Sequence, residues 1–116
     1  MEPNRLEEWQ LLSFFEVEPE RFDAHEDWFV NDLAYVVQRG RVSLRFEIAP
    51  YCRDLRISLK SEDGFSYDFK ALGVRDVRLV SENHVETLVI DLGDSSSLLL
   101  TMRPAISLIH RSCTVI

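Results

Sequence analysis

Between Arg41 and Lys60 the side chains alternate with a period of two. Val42, Leu44, Phe46 and Ile48 alternate against Arg41, Ser43, Arg45 and Glu47, and Leu55, Ile57 and Leu59 then alternate against Arg56, Ser58 and Lys60. A helix would mix the two sets around its axis. An extended strand separates them, because successive side chains leave opposite faces. The stretch therefore predicts antiparallel strands with one face on a core and the other in water.

The same logic extends along the chain. Leu33–Gln38 is the first predicted strand, and Arg39-Gly40 turns it into Arg41–Ile48. Pro50-Tyr51 connects to Asp54–Lys60, and Ser61-Glu62-Asp63-Gly64 is a hairpin signal leading to a strand over Phe65–Lys70. Beyond Gly73, a strand around Val74–Val80 puts Val74 out of phase with Val77 and Leu79, which predicts a bulge near Arg75-Asp76. Val85–Leu92 and Ser97–Arg103 follow, the second with Leu98, Leu99 and Leu100 in a row, as though both faces were covered. Pro104 marks an edge or kink before a last strand over Ala105–His110.

The expected fold is mainly β, with α+β as the alternative class. It is an antiparallel meander of seven or eight strands, closed as a sandwich or a strongly curled sheet, with a short N-terminal helix. There is no βαβ rhythm, which argues against a doubly wound nucleotide-binding fold. At 116 residues the chain is one domain, 1–116, long enough to bury a core without staples. Its divisions are an N-terminal helix (1–17), an acidic loop (18–32) and an antiparallel sheet (33–110).

Asn4 is placed to cap the helix, with Glu7 three residues on and Glu8 in the first turn. Leu11, Leu12, Phe14 and Phe15 crowd it, so the stripe is wide and the element should bed into the sheet or a partner. Leu11–Val17 as a strand is the alternative, and Pro19 ends either structure. The loop that follows carries Glu16, Glu18, Glu20, Asp23, Glu26, Asp27 and Asp32, interrupted by Phe22, Trp28 and Phe29. Those aromatics should hold it against the core.

Charge is distributed unevenly. Residues 1–32 hold ten acids and two bases, and residues 33–116 hold ten acids and eleven bases. Nearly all of the net charge of −7 therefore sits in the first quarter. Such a surface repels nucleic acid and anionic membrane and attracts basic partners, unless it serves only solubility. No apolar run is long enough to span a bilayer, and Met1-Glu2-Pro3-Asn4 has neither the basic start nor the apolar stretch of a signal peptide. The expected location is cytoplasmic, where Cys52 and Cys113 would be reduced thiols; sequence leaves open whether they meet.

Catalytic chemistry finds little purchase. His25, His84 and His110 are far apart, and Asp23-Ala24-His25-Glu26-Asp27 resembles a metal loop but lacks any sign of supporting ligands. Ser95, Ser96 and Ser97 lack the Gly-x-Ser-x-Gly elbow. Arg53 beside Cys52 could lower the thiol pKa slightly, but no general base stands near it. The chain reads as non-enzymatic, with no catalytic residue, no metal site and no cofactor. Arg41, Arg45, Arg56 and Lys60 would share one strand face, which the acidic loop is placed to neutralise.

The cytosolic setting, the small β-rich domain, the acidic patch and the missing catalytic signature together resemble bacterial immunity proteins of toxin–immunity pairs. The resemblance rests on general character, with Trp28-Phe29-Val30-Asn31-Asp32-Leu33-Ala34-Tyr35 the nearest thing to a signature. It implies a protein that binds one partner and blocks it, and it carries no functional residue over by position. The expected interface is Glu16, Glu18, Glu20, Asp23, Glu26 and Asp27 for steering and rim contacts on a basic protein, with Trp28 as anchor beside Phe22 or Phe29. Two alternatives stand beside it. One is a self-associating scaffold or homodimer through an edge strand near Pro104. The other is a small-ligand barrel lined by Phe46, Phe65, Tyr67, Phe69 and Trp28.

Overall fold

The register of the strands repeats the alternation of the sequence residue by residue. The computed structural model describes residues 6–112. One sheet contains β1 (Glu20–Arg21), β2 (Leu33–Arg39), β3 (Val42–Ala49), β4 (Asp54–Ser61) and β5 (Ser66–Ala71), antiparallel and in that order. Phe46 stands opposite Tyr35 on one side and Ile57 on the other, and Ile48 opposite Leu33 and Leu55. All six are buried, whereas Arg45 and Arg56 of the opposite parity lie exposed on the outer face.

The second sheet runs β6 (Asp76–Glu82), β7 (Val85–Gly93), β8 (Ser96–Thr101) and β9 (Ser107–Ser112), again antiparallel and in chain order. Its turns Asn83-His84 and Asp94-Ser95 take left-handed backbone at both positions, the twist that suits two-residue hairpins. Val77, Leu88, Ile90, Leu98 and Leu100 meet Tyr35, Phe46 and Ile57 in one core. The fold is thus a sandwich of a five-stranded and a four-stranded antiparallel sheet, with one short helix at its N-terminal end.

That helix, α1 (Glu8–Phe15), is opened by a capping box between Glu7 and Gln10, while Asn4 lies outside the described residues. Leu11, Phe14 and Phe15, spaced to share one face, are fully buried. The Phe15 ring stacks on Tyr35 at 4.9 Å and meets Phe46 at 5.2 Å. Trp9 and Leu12 stay on the outward side. The helix ends at Glu16 in left-handed backbone. There the Glu16 carboxylate accepts from Arg39 (3.2 Å) and Arg103 (2.8 Å). Arg39 also donates to the Met102 carbonyl, and Arg103 to Glu86 and the Phe14 carbonyl. One polar clamp therefore joins the helix end to both sheets.

Two local expectations are corrected. Val74 does not belong to a bulged strand: it is buried in the crossover from β5 to β6, its N–H bonded to the Arg53 carbonyl. The register irregularity lies instead at Asp91/Gly93. Leu99 is not covered in the way Leu98 and Leu100 are. Parity puts it on the outer face, half-buried in a row with Val89 and Ile109. Cys113 lies outside the described residues, so its pairing with Cys52 does too.

Trp28, in a 3-10 turn (Trp28–Val30), donates from Nε1 to the Tyr35 hydroxyl at 2.9 Å. Burial pushes the Tyr35 hydroxyl up to about 12. An unfolded tyrosine ionises near pH 10, so between pH 10 and 12 the native state holds more protons than the unfolded one. Stability is full below pH 10 and falls as pH rises, by on the order of 1.4 kcal/mol per pH unit. Tyr35→Phe leaves the Trp28 N–H without its acceptor and should cost about 1–2 kcal/mol at pH 7. Urea midpoints should show the gap between the two proteins closing and then reversing from pH 10 to 12; a constant gap would refute the linkage.

Candidate functional site

The outer face of the five-stranded sheet carries alternating charges that satisfy one another. Arg45 on β3 bonds Glu47 at 3.0 Å and Glu20 of β1 at 3.3 Å. Glu47 stands opposite Arg56 on β4, and Arg56 grips Asp68 of β5 with two bonds, the shorter 2.5 Å. The Arg56 guanidinium holds the Asp68 carboxyl below the usual carboxylate range. Arg45 and Arg56 of the expected basic face are therefore neutralised, by Glu20 from the acidic segment and by Glu47 and Asp68 from the sheet, while Lys60 makes no ion pair among the described residues. Arg41 lies at the β2–β3 turn beside Glu62 and Asp63 instead. Exposed pairs of this kind add little to stability, and their role here is to fix a pattern of charge.

This face is concave. At one end a hollow of about 510 Å³ lies among β1, the β3–β4 turn and the end of β5. A second, of about 490 Å³, continues across the sheet and shares Arg45, Glu47 and Arg56 with the first. The register explains the assembly. Arg21, Leu33, Ile48, Leu55 and Ala71 form one row across five strands, so the residues just beyond it gather at the same end. Among those are Phe22, Asp32, Tyr51 and Leu72. Phe22 is 86 % exposed, Tyr51 52 % and Leu72 69 %. The Asp32 carboxylate raises the pKa of the Tyr51 hydroxyl beside it.

The acidic loop closes back onto this end. Asn31 is 2 % exposed and spends its whole amide on it. Its Oδ1 accepts from the N–H groups of Asp23 (3.1 Å) and Asp32 (2.9 Å), and its Nδ2 donates to the carbonyls of Asp23 (2.6 Å) and Glu26 (3.3 Å). The Phe22 N–H bonds the Asp32 carbonyl. The loop is a built platform with its acids pointing outward.

The residues expected at the interface divide by environment. Glu16 is held in the clamp, and Glu20 is paired with Arg45. Asp23 accepts from the His25 N–H and makes no ion pair among the described residues; nor do Glu18, Glu26, Asp27 and Asp32. Trp28 is corrected: at 7 % exposure with its N–H engaged by Tyr35, it belongs to the core and presents no ring to a partner. Phe22 is the exposed aromatic of the segment. Tyr51 and Leu72 were not anticipated, although the sequence held a sign of them. Tyr51 follows Pro50 and Leu72 precedes Gly73, and a large apolar residue in a turn has no strand face on which to be buried.

Other chemistry is sparse. Burial and the neighbouring Asp54 push the Cys52 thiol up, so Arg53 does not activate it. Among the described residues, no three of His, Cys, Asp and Glu gather as a metal-ligand group. Phe46 is core and Phe65 projects into solvent, so the aromatics do not line a common cavity. No described helix is long and apolar enough to cross a membrane.

No family model and no curated protein matches the sequence. Among solved structures, the fold is similar to that of a chain in a contact-dependent growth inhibition toxin–immunity protein complex from Klebsiella pneumoniae 342. The TM-score is 0.70 at 17 % identity, over 93 % of this chain and 95 % of that one. The two chains share a fold end to end.

Proposed function

We propose that this chain is an immunity-type inhibitor, a non-enzymatic protein that binds one basic protein partner and blocks it. The observation that carries the reading is the end-to-end likeness in fold to a chain of a toxin–immunity complex. The unpaired acids of the first quarter support the basic character of the partner. Glu18, Glu26 and Asp27, exposed and without ion pairs among the described residues, steer the encounter, with Asp23 beside them. Glu16 and Glu20 act through their arginines, and Phe22 takes the anchoring part expected of Trp28.

Capture of partners on the tagged protein from its native lysate, washed at low and at high salt, tests the reading. One basic protein should be retained at low salt. Reversing Glu18, Glu26 and Asp27 to lysine together should slow association with it by about tenfold or more at low salt and flatten the salt dependence. An unchanged association rate would refute the steering role. A second reading, self-association, is favoured by Ile109, 52 % exposed on the edge strand β9. It predicts a stable dimer and no heterologous partner.

A further inference from the structure

We infer that the partner docks into the trough on the outer face of the five-stranded sheet, with a loop that presents an apolar side chain beside a lysine or arginine. This inference rests on the proposed function and names the surface that function would use. Three large apolar side chains, Phe22, Tyr51 and Leu72, converge on one end of the trough from three separate segments, and among the described residues they stay more than half exposed. Rigid aromatic and aliphatic groups of this kind, ringed by polar contacts, carry most of the energy of protein interfaces.

The charge pattern selects the occupant. The arginines that line the hollow are already engaged: Arg21 by Glu8, Arg45 by Glu20 and Glu47, and Arg56 by Asp68. What remains without an ion pair at this end among the described residues is Asp32 and Asp54 and, across the Asn31-braced loop, Asp23, Glu26 and Asp27, with Lys70 opposing them, so the balance is negative. An apolar group flanked by a cation therefore finds both its complements there. A small molecule does not. Ligand pockets enclose most of their guest, whereas these rim side chains stand in solvent and the trough runs on across the sheet into the second hollow. A protein surface laid along the trough would bury the rim.

The test places a photoreactive benzoylphenylalanine at position 22, 51 or 72, and at 109 on the opposite sheet as a control, in the native cell. The first three should crosslink to the same basic protein that is captured at low salt, at a peptide with lysine or arginine beside an apolar residue. Position 109 should not crosslink. With that protein purified, Phe22→Ala should weaken binding about 30-fold or more, mainly through faster dissociation. Its circular dichroism and melting should be unchanged, because the ring is exposed. Crosslinks from position 109 alone, with the partner still captured, would overturn the trough and leave the proposed function standing. Crosslinks from the trough to a second copy of this chain, or to a peptide without a cation, would also overturn it. No captured protein and no crosslink at any position would overturn both.

Discussion

Phe15→Ala should destabilise the protein by about 3–5 kcal/mol, a large share of the total stability of a domain this size. The side chain is fully buried, stacked on Tyr35 and in contact with Phe14 and Phe46. Removing it leaves a cavity at the seam between helix and sheet, and loses the aromatic contacts as well as the apolar area. An eight-residue helix cannot persist by its own hydrogen bonding, so α1 should detach once its C-terminal anchor is gone. Thermal melts should fall by on the order of 10–20 °C, and amide exchange along residues 8–15 should approach that of an open chain. Trp9→Ala, on the outward side of the same helix, should stay within about 0.5 kcal/mol of the parent. A loss below about 1 kcal/mol for Phe15→Ala would mean that the helix is not bedded as described.

Asn31→Ala should cost about 2–4 kcal/mol and act on a different part of the molecule. The amide makes four hydrogen bonds to backbone groups of the acidic loop and its exit. Among the described residues no buried side-chain polar atom lacks a partner, and this variant would orphan the Asp23 and Asp32 N–H groups. The core cluster does not include Asn31, so a cooperative melt should survive. The loss should show as faster exchange at the Asp23 and Asp32 amides. If the loop is the platform that steers the partner, association should slow as well, although no charge has changed. Asn31→Asp is the sharper comparison. It keeps the acceptor and loses both donors, so exchange at the Asp23 and Asp32 amides should remain slower than in Asn31→Ala.

The strands were legible because burial on one face leaves a period-two trace, and β3 and β4 follow it through the pairs Leu44–Leu59, Phe46–Ile57 and Ile48–Leu55. The same rule misled where the trace had another cause. Val74 is apolar because a crossover plugs the core, not because a strand continues through it. Leu99 is apolar on a face where its neighbours are Val89 and Ile109. Trp28 and Phe22 lie in one acidic segment and are equally conspicuous in the sequence, yet only the fold separates them, Trp28 buried on the Tyr35 hydroxyl and Phe22 in solvent. Asn31 left no trace at all, since its four bonds depend on how the loop folds back. The acid excess was visible, but its partition into paired Glu16 and Glu20 and unpaired Glu18, Glu26 and Asp27 depends on arginines far along the chain. Tyr51 and Leu72 were hidden as interface candidates because only the register of five strands brings their turns to one end.

The clamp at Glu16 ties α1 to residues far along the chain. Arg103 lies 87 positions further on, so α1 cannot be locked in place until that residue has been made. The trough, by contrast, is drawn entirely from residues 20–72 and from hairpins between neighbours in sequence. Contacts of short sequence separation form quickly, and distant ones wait on loop closure. A nascent chain could therefore display the surface that receives its partner while the inner face of that sheet still awaits the second one. Were the chain the inhibitor proposed above, readiness would then be set once residue 72 has been made, and completion of the clamp would convert an early encounter into a lasting one.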